Sequence, residues 1–595
     1  MDSARPRLRW WPAALIAAAW LGGAGWLWLS DWRTGQSRTM ALLGLSLGAL
    51  FLLFLWFALF SRLAWRRRLS GLLVLAALGT AAGTLLEIRG VDGDLKPILA
   101  LRWSPRPGAA QVGAVPAQAR GPAPTRAGPG GEAKTSAEPD PRRGNPPWSP
   151  PTEPGPGQAR GPAPTGAGPG GEAKTSAEPA SSRGNPPWLP SSPAAQPAPA
   201  AAIDAASFPQ FLGPDRDGRI AGVELSRDWQ ARPPRELWRR PVGAGWAGFS
   251  VAGGMAFTLE QEGEEEVATA YELATGKRLW RHADRTRYET TVGGVGPRSV
   301  PTVAGDRVFV MGATSHLRAL DRESGRLLWQ RDLKQGEGKS PPWGKANSPL
   351  VVGEQVIVQA GGETGSALAA FDAASGRPLW QGGKDPGSSS YSSPVLLAPA
   401  GEAQVVSFNS DSVSAHDPAD GHPLWRYPWP AEQPNVSTPL LLPGDRLFAS
   451  SGYGVGSKLL QLSRGEAGEW TAKLVWESPR LKAKFTNVVF SDGYLYGLDD
   501  GTLVCLEPAT GERCWKSGRY GHGQVLLIGK TLLVTTEEGE LVLVAPDPRE
   551  HRELARLSVL GGKSWNPPAF ASPYLLWRDD REAVCLELPL EQPGR

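Results

Sequence analysis

Three apolar runs open the chain, and a different pattern closes it. Trp11 to Leu29 is almost wholly apolar, Met40 to Phe60 carries Ser46 as its one polar residue, and Gly71 to Leu86 is shorter but free of charge. About 20 apolar residues are needed to cross the hydrocarbon core, so the pattern predicts transmembrane helices over about 11–29, 40–60 and 71–88, the last borrowing Glu87 and Ile88. From residue 237 onward the apolar positions alternate instead, in short runs such as VPTVAGDRVFVMG and SPLVVGEQVIVQA that begin at a proline. That alternation predicts strands with one face buried.

Between these halves, residues 104–207 are mostly Pro, Gly, Ala and short polar side chains. Such a segment buries too little apolar surface to offset its ordering entropy, so a disordered linker is expected. Gln118 to Pro150 and Gln158 to Pro190 are near copies, which marks a duplicated linker segment. The chain therefore divides into a membrane anchor (1–103), a linker (104–207) and an all-β domain (208–595).

An eleven-residue signature recurs in the β domain. It reads AYELATGKRLW from Ala270, ALDRESGRLLW from Ala319, AFDAASGRPLW from Ala370, AHDPADGHPLW from Ala415 and CLEPATGERCW from Cys505. Each copy predicts a hairpin: a strand ending in a small residue and an acid, a tight turn with Gly in the left-handed region, then a strand bearing Trp. Weaker copies at Gln461, Ala545 and Cys585 bring the small-residue positions to eight, spaced by 40 to 51 residues. A period of that size with four short strands per unit means propeller blades. Trp238 is a Trp strand with no first half before it, and the Cys585 copy has no Trp after it. The first strand can thus complete the last blade and shut the ring, which removes exposed sheet edges. The expected fold is all-β, an eight-bladed β-propeller of four-stranded antiparallel blades behind transmembrane helices and a disordered linker.

The signature resembles the tryptophan-docking motif of quinoprotein propellers and of the wider PQQ-like repeat family, and FPQFLGPDRDG from Phe208 resembles the lead-in of bacterial members. The resemblance covers about residues 208–590 and implies eight blades with Trp docked between them. It does not imply a bound cofactor, because many members hold none. Quinoprotein dehydrogenases hold PQQ between a Trp face and a disulfide of adjacent cysteines, with Ca²⁺ and an Asp base. Here the three cysteines, Cys505, Cys514 and Cys585, are not adjacent to one another. No cofactor is expected, and the alternative is a PQQ-dependent membrane-bound alcohol or sugar dehydrogenase.

Composition and charge add limits. Net charge is only +4 over 595 residues, and the β domain has no Lys/Arg cluster of the kind nucleic acid requires. Arg5, Arg7 and Arg9 precede the first apolar run, and Arg62, Arg66, Arg67 and Arg68 separate the second from the third. By the positive-inside rule the N-terminus is cytoplasmic; three crossings put the propeller in the periplasm or its equivalent, and two would leave it in the cytoplasm. Cys514 falls opposite Cys505 if their hairpin pairs symmetrically, so a disulfide between them is left open. Asp215, Asp217, Gly218 and Glu224 partly mimic a calcium loop, but the position that needs an Asp is Gly213, and the segment reads as a turn. Candidate binding residues are those just before the inner strands, at the central funnel: Trp343, Lys345, Asn347, Tyr391, Asn435, Lys484, Asn487, Trp565 and Asn566. Aromatic and amide groups in a concave mouth bind peptides or strand edges. The expectation is a non-catalytic binding or scaffolding protein with a protein or peptide partner.

Overall fold

The computed structural model describes residues 9–29, 35–61, 63–91, 97–102, 206–290, 293–333, 342–360, 367–383, 390–430 and 434–591. The linker expected over 104–207 lies outside them except for its last two residues.

Three helices form the N-terminal part: α1 (Trp11–Leu29), α2 (Gly35–Leu55), which continues as a π-helical turn over Trp56–Phe60, and α3 (Trp65–Leu85). Among the described residues, two stretches, Arg38–Phe60 and Trp65–Leu85, are long and apolar enough to cross a membrane. Ser46, the polar exception in its run, accepts a hydrogen bond from Trp20 Nε1 at 3.1 Å, which ties α2 to α1. The third helix departs from expectation at both ends. It takes in Trp65 to Ser70 and stops at Leu85. Leu86, Glu87 and Ile88 belong instead to the strand Leu86–Val91, which pairs antiparallel with Pro97–Leu101.

The C-terminal part is the eight-bladed propeller. Blades 1 to 7 span 250–284, 302–332, 350–382, 395–428, 440–478, 489–519 and 524–558, each a four-stranded antiparallel meander from the axis outward. Blade 8 takes three strands from 569–587 and its outer strand from Arg235–Pro241. Cys585 pairs with Trp238, so the two ends of the domain close the ring as the half-copies require. Arg578 of blade 8, fully buried, adds hydrogen bonds to Leu259 O (3.1 Å) and Thr258 Oγ1 (3.3 Å) of blade 1.

In six blades the small residue sits directly opposite Trp: Ala270 with Trp280, Ala319 with Trp329, Ala370 with Trp380, Ala415 with Trp425, Cys505 with Trp515 and Cys585 with Trp238. A β-bulge follows that position each time. The same bulge shows where the two weak copies lie. In blade 5 it is Leu459 that faces Trp476, and in blade 7 it is Leu543 that faces Ala555. The positions read from sequence as 461 and 545 are therefore two residues late. A two-residue slip keeps the same face of the strand, so the pattern of buried positions hid the error.

The glycine of the turn explains the Trp. In five blades the indole of the outer strand lies against the turn of the next blade: Trp238 on Gly276, Trp280 on Gly325, Trp329 on Gly376, Trp380 on Gly421 and Trp476 on Gly511. A Cβ at Gly325 would stand 2.5 Å from Trp280 Cε3. Indole N–H groups then reach carbonyls of the next blade, Trp238 to Leu273 O at 2.8 Å, Trp280 to Arg322 O at 2.8 Å and Trp329 to Ala373 O at 3.0 Å.

Gly325 and Gly305 both have φ near the left-handed region (70° and 58°), but nothing lies within 4 Å of a Cβ at Gly305. Gly305→Ala should cost about 1–2 kcal/mol for backbone strain alone. Gly325→Ala should cost about 1–3 kcal/mol more, because the indole must move. Urea unfolding midpoints of the two variants measure the difference.

Candidate functional site

The lead-in segment fills the axis of the ring. Phe208 exchanges hydrogen bonds with Val251 of blade 1 in antiparallel sense, at 2.9 and 2.8 Å, and Pro209 O accepts from Val303 N of blade 2 at 2.8 Å. After a turn, Arg219–Ile220 runs parallel to the inner strand of blade 7 as a fifth strand. Leu225 and Ser226 then join the C-terminal residues Leu590 and Pro589. The chain therefore climbs beside blade 1, turns inside the channel and descends beside blade 7.

Arg216 is at that turn, in the left-handed region (φ 56°) and buried. Its Nε donates to Gln210 Oε1 (2.8 Å), Nη1 to Ser348 O (3.2 Å) and Pro394 O (2.8 Å), and Nη2 to Thr302 Oγ1 (3.3 Å) and Pro349 O. One guanidinium thus binds blades 2, 3 and 4, using its donors in a fixed fork. Burial lowers its pKa to about 9, which leaves it charged at neutral pH. The carboxylate of Asp217 accepts from Arg219 N within the turn, and Asp215 is exposed. Among the described residues no three His, Cys, Asp or Glu side chains converge as metal ligands.

Above the turn, the loops leading into the inner strands are stitched blade to blade. Val300 N donates to Ser348 Oγ, Ser348 N to Ser393 Oγ and Thr438 N to Asn487 Oδ1, at 2.8–2.9 Å. Asn435 Nδ2 reaches Asn409 O at 2.7 Å, and Asn566 Nδ2 reaches Gly245 O and Ala247 O at 3.0 and 2.8 Å, across the closure. Lys345 Nζ donates to Gln359 O and Ala360 O. These five side-chain positions, Lys345, Asn347, Asn435, Asn487 and Asn566, are all buried. Lys345, Asn435, Asn487 and Asn566 fix loop geometry by satisfying backbone atoms, whereas the buried amide of Asn347 has no hydrogen-bond partner among the described residues.

The surface of the mouth is aromatic. Ring centroids link Trp246 to Trp565 (4.8 Å), Trp565 to Phe485 (4.8 Å), Phe485 to His522 (5.5 Å) and to Tyr453 (6.4 Å), Tyr453 to Trp343 (6.2 Å) and Trp343 to Tyr391 (5.6 Å). Tyr288 extends the seam, its hydroxyl donating to Pro342 O at 2.7 Å. Three cations sit over these rings. Lys563 Nζ is 3.9 Å from the Trp565 centroid and 4.8 Å from that of Trp246, Lys484 Nζ is 4.8 Å from Tyr453, and Arg298 is 4.8 Å from Tyr288. Such pairs attract by about 0.5–2 kcal/mol each. Trp343, Tyr391, Tyr453, Phe485, Trp565 and Tyr288 are half-buried, so each keeps part of a ring for solvent or a ligand. Burial raises the phenols of Tyr288, Tyr391 and Tyr453 above their ordinary range and holds them neutral, and it lowers Arg298 to about 10. Glu537 accepts from Trp565 Nε1 (2.8 Å) and His522 N (2.9 Å), which fixes the tilt of that indole.

Of the residues chosen from sequence, Trp343, Tyr391, Lys484 and Trp565 meet in this seam, and the other five lie beneath it. Sequence reasoning missed Trp246, Tyr288, Arg298, Tyr453, Phe485, Lys563 and the axial Arg216. Phe485 adjoins Lys484 and Lys563 lies two residues before Trp565, so both were within reach. Tyr453 comes from the turn between the second and third strands of blade 5, where no repeat feature points to it.

A protein family described as outer membrane protein assembly factor BamB matches residues 228–344 and 263–517. No curated protein matches the chain. Among solved structures, BamB from Moraxella catarrhalis is similar over 61% of this chain and 99% of its own, at 15% identity and a TM-score of 0.44. A quinohemoprotein alcohol dehydrogenase from Comamonas testosteroni is similar over 66% of this chain and 82% of its own, at 12% identity and a TM-score of 0.46. Another from Pseudomonas putida HK5 covers the same shares at 13% identity and a TM-score of 0.48.

Arg216→Met should leave carbonyl acceptors on blades 3 and 4 without donors. The expected loss is about 3 kcal/mol of stability, with protease cleavage appearing in 206–226. Asp215→Asn, on the exposed side of the same turn, should change neither. Limited proteolysis and thermal unfolding of the two variants check this.

Proposed function

The propeller of this chain belongs to the PQQ-like β-propeller family, and from that premise we propose that it is a non-catalytic binding module whose ligand is an extended protein segment held at the aromatic mouth. The observation that carries this is the unbroken seam of half-buried rings with ammonium and guanidinium groups fixed over it. Neutral rings offer large contact area at low entropy cost, and buried aromatic anchors dominate protein interfaces. The matched family's description, a factor in outer-membrane protein assembly, agrees with a protein ligand. The apolar helices 38–60 and 65–85 would hold the module at the cytoplasmic membrane. With α1 as a further crossing, the arginine flanks would direct the propeller outside the cytoplasm.

The dehydrogenase alternative finds less support in the residues present. The axis is taken up by Arg216 and its turn. The PQQ platform of adjacent cysteines has no counterpart, since Cys505 and Cys514 belong to blade 6 and Cys585 to blade 8.

The test uses the full chain in detergent and a panel of extended peptides with alternating aromatic and polar residues, followed by fluorescence anisotropy. Trp343→Ala and Trp565→Ala should each weaken binding by roughly 5- to 150-fold, the range of a truncated aromatic anchor. Leu474→Ser, on the exposed outer strand of blade 5, should leave it unchanged. Dye reduction with an alcohol or sugar after addition of PQQ and Ca²⁺, lost in the mouth variants, would overturn the proposal in favour of the dehydrogenase.

A further inference from the structure

The outer hairpin of blade 6 differs from the other seven at one position. Each hairpin has a β-bulge, and the extra residue is Leu237, Leu279, Leu328, Leu379, Leu424, Val475 or Leu554 in the other blades. In blade 6 it is Cys514, since Cys505 pairs with Trp515 and Leu506 with Arg513. At a bulge, two residues of one strand oppose a single residue of its partner. The other blades show where that extra side chain goes. Leu328 packs on the cluster that holds Ala319, Leu424 on that of Ala415, Leu237 on that of Cys585 and Leu554 on that of Leu543. In these four blades it joins the cluster that holds the residue opposite, whereas Leu279, Leu379 and Val475 are exposed. Here both the bulge residue and the small residue beside the bulge are cysteines.

We propose that Cys505 and Cys514 are a disulfide-forming pair, a modification site that clamps the outer hairpin of blade 6 once the chain meets a disulfide donor. Cys514 is exposed and Cys505 buried, and both are free thiols in this structure. The two thiols lie close enough to hydrogen-bond, and burial raises Cys505 above the ordinary thiol range. The exposed sulfur therefore reacts first. The Cys514 thiolate attacks a donor disulfide, forms a mixed disulfide and expels one donor thiol. Cys505 loses its proton, attacks the Cys514 sulfur and expels the second donor thiol. Two protein thiols are oxidised, one donor disulfide is reduced to two thiols, and the electrons balance.

The location gives the bond a purpose. Trp515 docks from blade 6 onto blade 7 through Asp547 O at 2.8 Å, and the side chain it meets there is His551, at 5.5 Å between ring centroids. Most other joints instead seat the indole on a turn glycine. A covalent link beside Trp515 would hold this atypical joint.

Full-length protein is incubated with oxidised glutathione, denatured, and titrated with a maleimide under non-reducing conditions. The reduced chain exposes three thiols. The oxidised chain should expose one, run as a monomer, and weigh about 2 Da less before labelling. Cys514→Ser, at an exposed position, should expose two thiols after the same treatment, and Cys585→Ser should expose none. Three reactive thiols after oxidation, a persistent glutathione adduct on Cys514, or a covalent dimer would each overturn the proposal.

Discussion

An indole needs a flat apolar partner and an acceptor for its one N–H, and a glycine turn supplies both. That pairing is made between blades, not within them. The outer strand of one blade gives the Trp, and the third-to-fourth-strand turn of the next gives the glycine face, with a carbonyl at 2.8–3.0 Å where the N–H is satisfied there. A blade therefore cannot complete its own docking, and the series ends only where the last acceptor meets the first donor. Trp238 does this: it pairs with Cys585 in blade 8 and lies on Gly276 of blade 1. Three joints use other means. Blade 5 has lengthened third and fourth strands in place of the tight turn, blade 7 receives Trp515 without a glycine, and blade 7 itself carries Ala555 where the other outer strands carry Trp.

The residues before the closing strand lie at the axis. The segment from Ala206 to Ser226 is held there by backbone pairing to blades 1 and 7 and by one guanidinium spread over blades 2 to 4. The ring beneath supports the loops that lead into the inner strands. Their bases are fixed by Ser, Asn and Lys side chains bonded to neighbouring loops, and their tips carry the rings and cations of the mouth.

The fold was legible because repetition makes a weak local pattern strong. One hairpin with Ala, Gly and Trp at fixed offsets means little, and five of them with two complementary halves define a closed wheel. The limits of legibility have physical causes. The slips at Gln461 and Ala545 preserve strand face, so hydrophobic alternation could not reveal them, and only the bulge beside Leu459 and Leu543 does. Leu86 to Ile88 are apolar enough for a helix yet pair as a strand, which depends on a partner eleven to fifteen residues away. At the mouth, position in the repeat identified the loops but not the depth of each side chain. Asn435 and Asn566 looked like ligand-facing amides and are bound to backbone carbonyls instead. Tyr453 arrives from another turn altogether. Arg216 was hidden because a turn rich in Asp and Gly gives no sign that the chain around it is threaded through a ring.

Hydrogen exchange across the closure tests the wheel most directly. In the full chain the amides of 235–240 that point toward 582–587, their partner strand, should be protected from exchange, and Trp238→Ala should accelerate them together with the amides of 582–587 that point back. Exchange of those amides of 235–240 at the rate of an unpaired segment, with 582–587 still protected, is incompatible with a ring shut by its first strand.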